Sequence, residues 1–268
     1  MSEPENKFEI TNDEPPPSAR EKPMGFWEHL EELRGTLIKC IVTFIIFASL
    51  IGYFMKEFND VLLWPLHTVK AEYPKLILDL GTTSIMEGFN VAIQMCVMGG
   101  ALLAAPFCLI FIGQFVAPAL TNKEIKLILP VGISAIVLFL LGATFSFFLL
   151  IPSTIRVSIE LNDYFGFAMR WTPGSYYSLV MWLVLGVGAS FEFPLVIVIL
   201  VWLGLMTTAF LRKYRRHAIV VIFIIAAVVT PTPDPINQTL FAVPLYLLYE
   251  IAIFVGSRIE KKKLGRNA

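Results

Sequence analysis

Four stretches of the chain, about 36–55, 88–116, 127–151 and 175–205, are apolar for some twenty residues or longer. A helix needs about 20 apolar residues to cross the ~30 Å hydrocarbon core of a bilayer. No water reaches a backbone there, so each stretch must satisfy its own N–H and C=O groups, which a helix does. Composition agrees, because 56% of the 268 residues are hydrophobic and only 16% are charged, against about 25% charged in soluble domains. The chain is therefore read as an all-α integral membrane protein.

Two further runs are shorter. AIVVIFIIAAVVT (218–230) and TLFAVPLYLLYEIAIFVG (239–256) flank PTPDPINQ (231–238), a segment whose prolines, Asp and Asn dictate a tight turn. The pair is either one re-entrant hairpin or two genuine spans in a locally thinned bilayer. Charge clusters on both sides of it favour two spans, giving six transmembrane helices of which the last two are short. Before them, residues 1–23 are acidic, Pro-rich and poor in apolar side chains, as a disordered tail is, and lack the apolar core of a signal peptide. The membrane domain is assigned to 24–258 and a basic tail to 259–268.

Orientation follows from where Lys and Arg fall. With six spans, 16 of these residues lie on the side holding both termini and 5 on the other, out of 21. Both termini are expected in the cytoplasm. The two long loops then lie outside, at about 56–87 and 152–174. In the first, KEFNDVLLWPL reads as a short interfacial helix ended by Pro65. Pro106 is expected to kink the second span and Pro152 to close the third.

Few residues offer chemistry. In FWEHLEELRGTLIK (26–39), Glu28, Glu31 and Glu32 share one helical face beside Arg34. They form either a solvated helix start suited to the dipole or an acidic patch for a cationic partner. QFVAPALTNKEIK (114–126) carries Glu124, an ordinary first-turn acid or a second carboxylate on that same face. Glu192 stands inside the fourth span, where a charge costs about 3 kcal/mol or more. Pro194, two residues on, has no N–H and frees a carbonyl one turn back. Such an acid is a structural tie or a polar site within the membrane. Asp234 is a turn former. Glu250, in the last run, is read as reaching towards Arg258. Cys40, Cys96 and Cys108 lie scattered in apolar runs, so no disulfide, metal site or cofactor is assigned. No phosphate-binding glycine loop, metalloprotease motif or nucleophile elbow occurs, and the chain is read as not an enzyme.

Four short motifs appear together and in order: HLEELR (29–34), FVAPALTNKE (115–124), SFEFP (190–194) and TPTPDPINQTLFAVP (230–244). The set resembles the TatC family, the multi-span subunit of the twin-arginine protein translocase, over about residues 24–258. The resemblance implies a concave, cup-like bundle in the bacterial inner membrane. It implies a receptor for twin-arginine signal peptides that delivers folded proteins across the membrane with the proton-motive force. Its implied partners are TatA- and TatB-type single-span subunits, further copies of itself and membrane lipid, and no nucleic acid. By position, Glu32 and Glu124 are implied to receive the two arginines, with Arg34 and Phe115 beside them. Glu192 is implied as a contact for a partner helix, and Pro65 and Asp234 as outside-loop positions. TPTPD departs from the plainer T-P-P-D form. The competing reading is a proton- or ion-coupled small-molecule carrier titrating at Glu192, which would need neither Glu32 nor Glu124.

Overall fold

The computed structural model describes residues 26–73, 80–116, 128–230 and 234–267, and every regular element among them is helical. In chain order these are α1 (Phe26–Tyr53), α2 (Met55–Glu72), α3 (Glu87–Gln94), α4 (Gly100–Val116), α5 (Ile128–Phe145), α6 (Ile151–Phe165), α7 (Pro173–Ser190), α8 (Phe193–Leu203), α9 (Thr208–Lys213), α10 (Arg215–Val229) and α11 (Pro235–Asn267). Among the described residues, five helical stretches are long and apolar enough to cross a membrane: Trp27–Tyr53, Glu87–Phe115, Leu129–Phe165, Pro173–Leu203 and Pro235–Lys262. The remaining apolar helix, α10, has 15 residues and a length of about 22 Å at 1.5 Å per residue.

Three proline expectations are corrected or refined. Pro65 does not end α2 but lies inside it, buried with Leu62, Leu66 and Val69. Burial of that face outweighs the one backbone bond the ring removes. Pro152 does not close the third span, because the helix runs on to Phe165. Just ahead of Pro152, residues Ser146–Leu150 form a π-helical turn, whose extra residue widens the coil where the ring would meet the preceding carbonyl. The stop comes instead at Gly166, at φ 70°. Its N–H bonds the Asp163 carbonyl at 3.0 Å, and Phe167 N–H bonds that of Asn162 at 2.9 Å, a left-handed cap that glycine adopts without strain. In the second run, Pro106 sits within α4, and a second π turn, Met95–Gly99, joins α3 to α4.

The fourth span is interrupted. α7 stops at Ser190 and α8 begins at Phe193, with Pro194 in its first turn. Glu192 N–H reaches only three residues back, to the Ala189 carbonyl at 3.1 Å. The last span is longer than its apolar run, since α11 stays helical to Asn267 through the basic segment.

Small residues bring the helices together, as they do where lipid supplies no hydrophobic drive. α1 and α4 make the most extensive contact among the described elements. A Cβ on Gly100 would stand 2.8 Å from the backbone N and Cα of Ala48. α5 meets α7 in the same manner, where a Cβ on Gly142 would stand 2.9 Å from the Val187 carbonyl oxygen. At the end of the bundle built by α2, α6 and the start of α7, polar clasps fix the loops. Arg156 donates from Nε and Nη2 to the two Glu72 carboxylate oxygens, each at 2.7 Å. The Tyr176 hydroxyl donates to the Leu62 carbonyl at 2.7 Å, and that of Tyr177 donates to Asn59. Glu87 accepts from Thr83 N–H at 2.8 Å and Gly174 N–H at 3.4 Å, holding the start of α3 to the start of α7.

Candidate functional site

Glu32, Thr36 and Cys40 recur every four residues on α1 and so lie on one face. Thr36 is buried and Glu32 half-buried, whereas Arg34 is exposed. The seam runs antiparallel, with Gly52 opposite Cys96 and Ala48 opposite Gly100. The N-terminal end of α1 therefore lies at the C-terminal end of α4. There the His29 ring stacks on Phe115, centroids 4.5 Å apart and planes inclined by 20°. Glu32 follows His29 by one turn, and its Oε2 is buried without a hydrogen-bond partner among the described residues. A carboxylate oxygen held in that condition is ready to accept a charge-assisted bond from a guanidinium. Arg34 lies about 200° around the helix from Glu32 and is not brought to this face. Glu124 lies outside the described residues, in 117–127, the segment that continues from the same end of α4.

Glu192 occupies the break between α7 and α8. Its neighbour Phe191 stacks between Phe145 and Phe241, with centroids 6.0 Å and 6.5 Å away. Glu192 Oε1 is buried and has no hydrogen-bond partner among the described residues. Ser146 Oγ and Asn237 Oδ1 are in the same condition, one beside Phe145 and the other one turn before Phe241. The two carboxylates, Glu32 and Glu192, are separate features on separate helices.

Asp234 is more than a turn former. It caps α11, accepting from Asn237 N–H at 2.7 Å and from the Asn237 side-chain amide at 3.2 Å. Glu250 does not reach Arg258. It pairs with Arg215 at 2.7 Å and accepts from the Tyr246 hydroxyl at 3.0 Å, because α10 starts beside that turn of α11. Sequence reasoning missed the His29–Phe115 stack, although both residues belong to the quoted motifs. It also missed Glu260, which accepts from Thr208 N–H at 3.2 Å. Among the described residues no three His, Cys, Asp or Glu side chains are grouped to hold a metal.

A family model described as Sec-independent protein translocase protein (TatC) matches residues 28–244. The chain belongs to the TatC family. It is 35% identical over 246 residues to the TatC of Carboxydothermus hydrogenoformans, covering 91% of this chain and 98% of that one. Against Escherichia coli K12 TatC, identity is 34% over 248 residues, with 89% and 90% covered. A crystal structure of the twin arginine translocase receptor TatC in DDM superposes with a TM-score of 0.73 at 34% identity, covering 85% of this chain and 99% of that one. A second TatC crystal structure gives 0.72 at 33% identity, covering 87% and 100%. TatC membership makes the chain a component of a Sec-independent protein translocase, a transport role in a membrane, and does not favour the small-molecule carrier that Glu192 alone would suggest.

Proposed function

We propose that this chain is the membrane receptor for twin-arginine signal peptides, with Glu32 and Glu124 as the carboxylates that take the two arginines. The observation that carries the reading is Glu32 Oε2, buried and unpartnered one turn from the His29–Phe115 stack. Guanidinium forks suit carboxylates geometrically, whereas lysine offers a point charge, so a pair of arginines is told apart from a pair of lysines. Phe115 and His29 wall the site with ring faces. Arg34, which the resemblance implies beside the arginine site, is exposed on the far side of α1 from Glu32.

In this reading the chain crosses the bacterial inner membrane six times, with α10 as the short fifth span and both termini in the cytoplasm. The concave side of the cup receives the apolar part of the signal. Glu192 offers a polar contact there to a single-span TatA- or TatB-type subunit, and further copies of the chain assemble around it. Transport of the folded cargo draws on the proton-motive force.

The test is photo-crosslinking of a twin-arginine signal peptide to probes placed at positions 32 and 124, together with binding to Glu32→Gln and Glu124→Gln. Each substitution is expected to weaken binding by about 1.5–3 kcal/mol, the scale of a charge-assisted bond. Unchanged binding in both variants removes the assignment.

A further inference from the structure

Near its C-terminal end α11 has two faces of different character. The inward face is fully engaged. The Tyr249 hydroxyl donates to the Leu211 carbonyl at 2.9 Å. Gly256 lies where a Cβ would meet Val201 at 3.2 Å and Thr208 at 3.3 Å. Glu260 accepts from Thr208. Half a turn away, at spacings of three and four, run Leu247, Ile251, Phe254, Arg258, Lys261 and Lys262, which share one face by helical geometry. Leu247 is 57%, Ile251 55% and Phe254 57% exposed. Along the axis this stripe changes from aliphatic to aromatic to cationic. The Arg258 guanidinium carbon lies 4.7 Å from the centre of the Phe254 ring.

The nearby acids do not neutralise it. Glu250 is held by Arg215 and Tyr246, and Glu260 is turned to Thr208. Among the described residues, Arg258, Lys261 and Lys262 have no acid partner. Because α11 remains helical to Asn267, the three cations stand at fixed spacing and not on a loose tail.

We propose that this stripe is a binding site for a phospholipid with an anionic headgroup, drawn from the leaflet at the C-terminal end of α11. The acyl chain lies along Leu247, Ile251 and Phe254. The phosphate meets Arg258, whose fork suits it, with Lys261 and Lys262 adding the attraction of a basic cluster for an anionic surface. A soluble anion would use only the charged half of the stripe, so the apolar half selects the lipid.

The experiment uses the full chain in nanodiscs of equal phosphatidylglycerol and phosphatidylcholine, extracted gently, with retained lipid counted by native mass spectrometry. Phosphatidylglycerol is expected to be retained in preference. The preference should fall at least tenfold in the triple variant Arg258→Gln/Lys261→Gln/Lys262→Gln and partly in Phe254→Ala. It should persist in Arg258→Lys, in Lys56→Gln at the other end of the bundle, and in excess inorganic phosphate. Equal retention of phosphatidylcholine by the unaltered protein overturns the proposal, a result that needs no variant to fold. So does a triple variant with unchanged preference, or displacement by phosphate, which would make the stripe a soluble-anion site.

Discussion

A carboxylate inside an apolar helix costs about 3 kcal/mol or more, and Glu192 is kept where the helix is already broken. Glu192 N–H bonds three residues back and Pro194 restarts the coil, so the acid sits among backbone groups that are irregular for other reasons. Its Oε1 is buried without a hydrogen-bond partner among the described residues, and in the proposed reading it is the acceptor that an incoming polar side chain meets. Glu192→Leu should therefore stop transport in vesicles while signal-peptide crosslinking at the α1–α4 site persists. Glu192→Gln, which keeps an acceptor, should retain much of the transport. Normal transport by Glu192→Leu would reduce the acid to a structural tie. Glu192 was legible in the sequence because an acid in a run of Phe, Val and Leu stands out by its cost. The His29 stack was not, since ring contacts between helices 86 positions apart leave no periodic trace. Asp234 was half legible: its place in a turn was evident, but its capping depends on Pro235 starting a helix at once.

At the level of the helix, strong local signals were read too literally. Prolines 65 and 152 are breakers by propensity, yet one is buried within α2 and the other follows a π turn that makes room for it. A π turn has no compositional mark and could not be read in advance. The small residues of the seams are equally silent until their partners are known. Gly100→Ala should destabilise the α1–α4 pair by about 1–3 kcal/mol, as overpacking does, because the new methyl would stand 2.8 Å from backbone atoms that cannot rotate aside. Thermal unfolding in detergent, against Gly113→Ala as a control in open space, measures it. The α2–α6 clasp adds a pH dependence. The hydrogen bond and charge of Arg156 hold the Glu72 carboxyl below its usual range. A folded-state value below the unfolded one gives stability present at neutral pH and lost as pH falls through the folded value. Acid titration of unfolding should show that loss in the parent, and Glu72→Gln should flatten it.

For the molecule as a whole, the membrane class and most span positions were legible from apolar run length alone, because a bilayer leaves a chain few solutions. The length of the last helix was not, since the apolar pattern marks where lipid lies and not where the helix ends. α11 continues well past its apolar residues, whereas α10 stays at 15. At about 22 Å, α10 is shorter than a ~30 Å hydrocarbon core, so the bilayer beside it should thin. Depth-sensitive spin labels along 218–229 will test this, and headgroup spacing equal to that beside α1 would contradict it. The close seam between α1 and α4 has a mechanical side. With Ala48 and Gly100 in backbone contact and His29 stacked on Phe115, neither helix slides along the other without lifting out of register. Glu32 and Gly52 are about 30 Å apart along α1, so a pull on the first is expected to move α1 and α4 together and not one past the other.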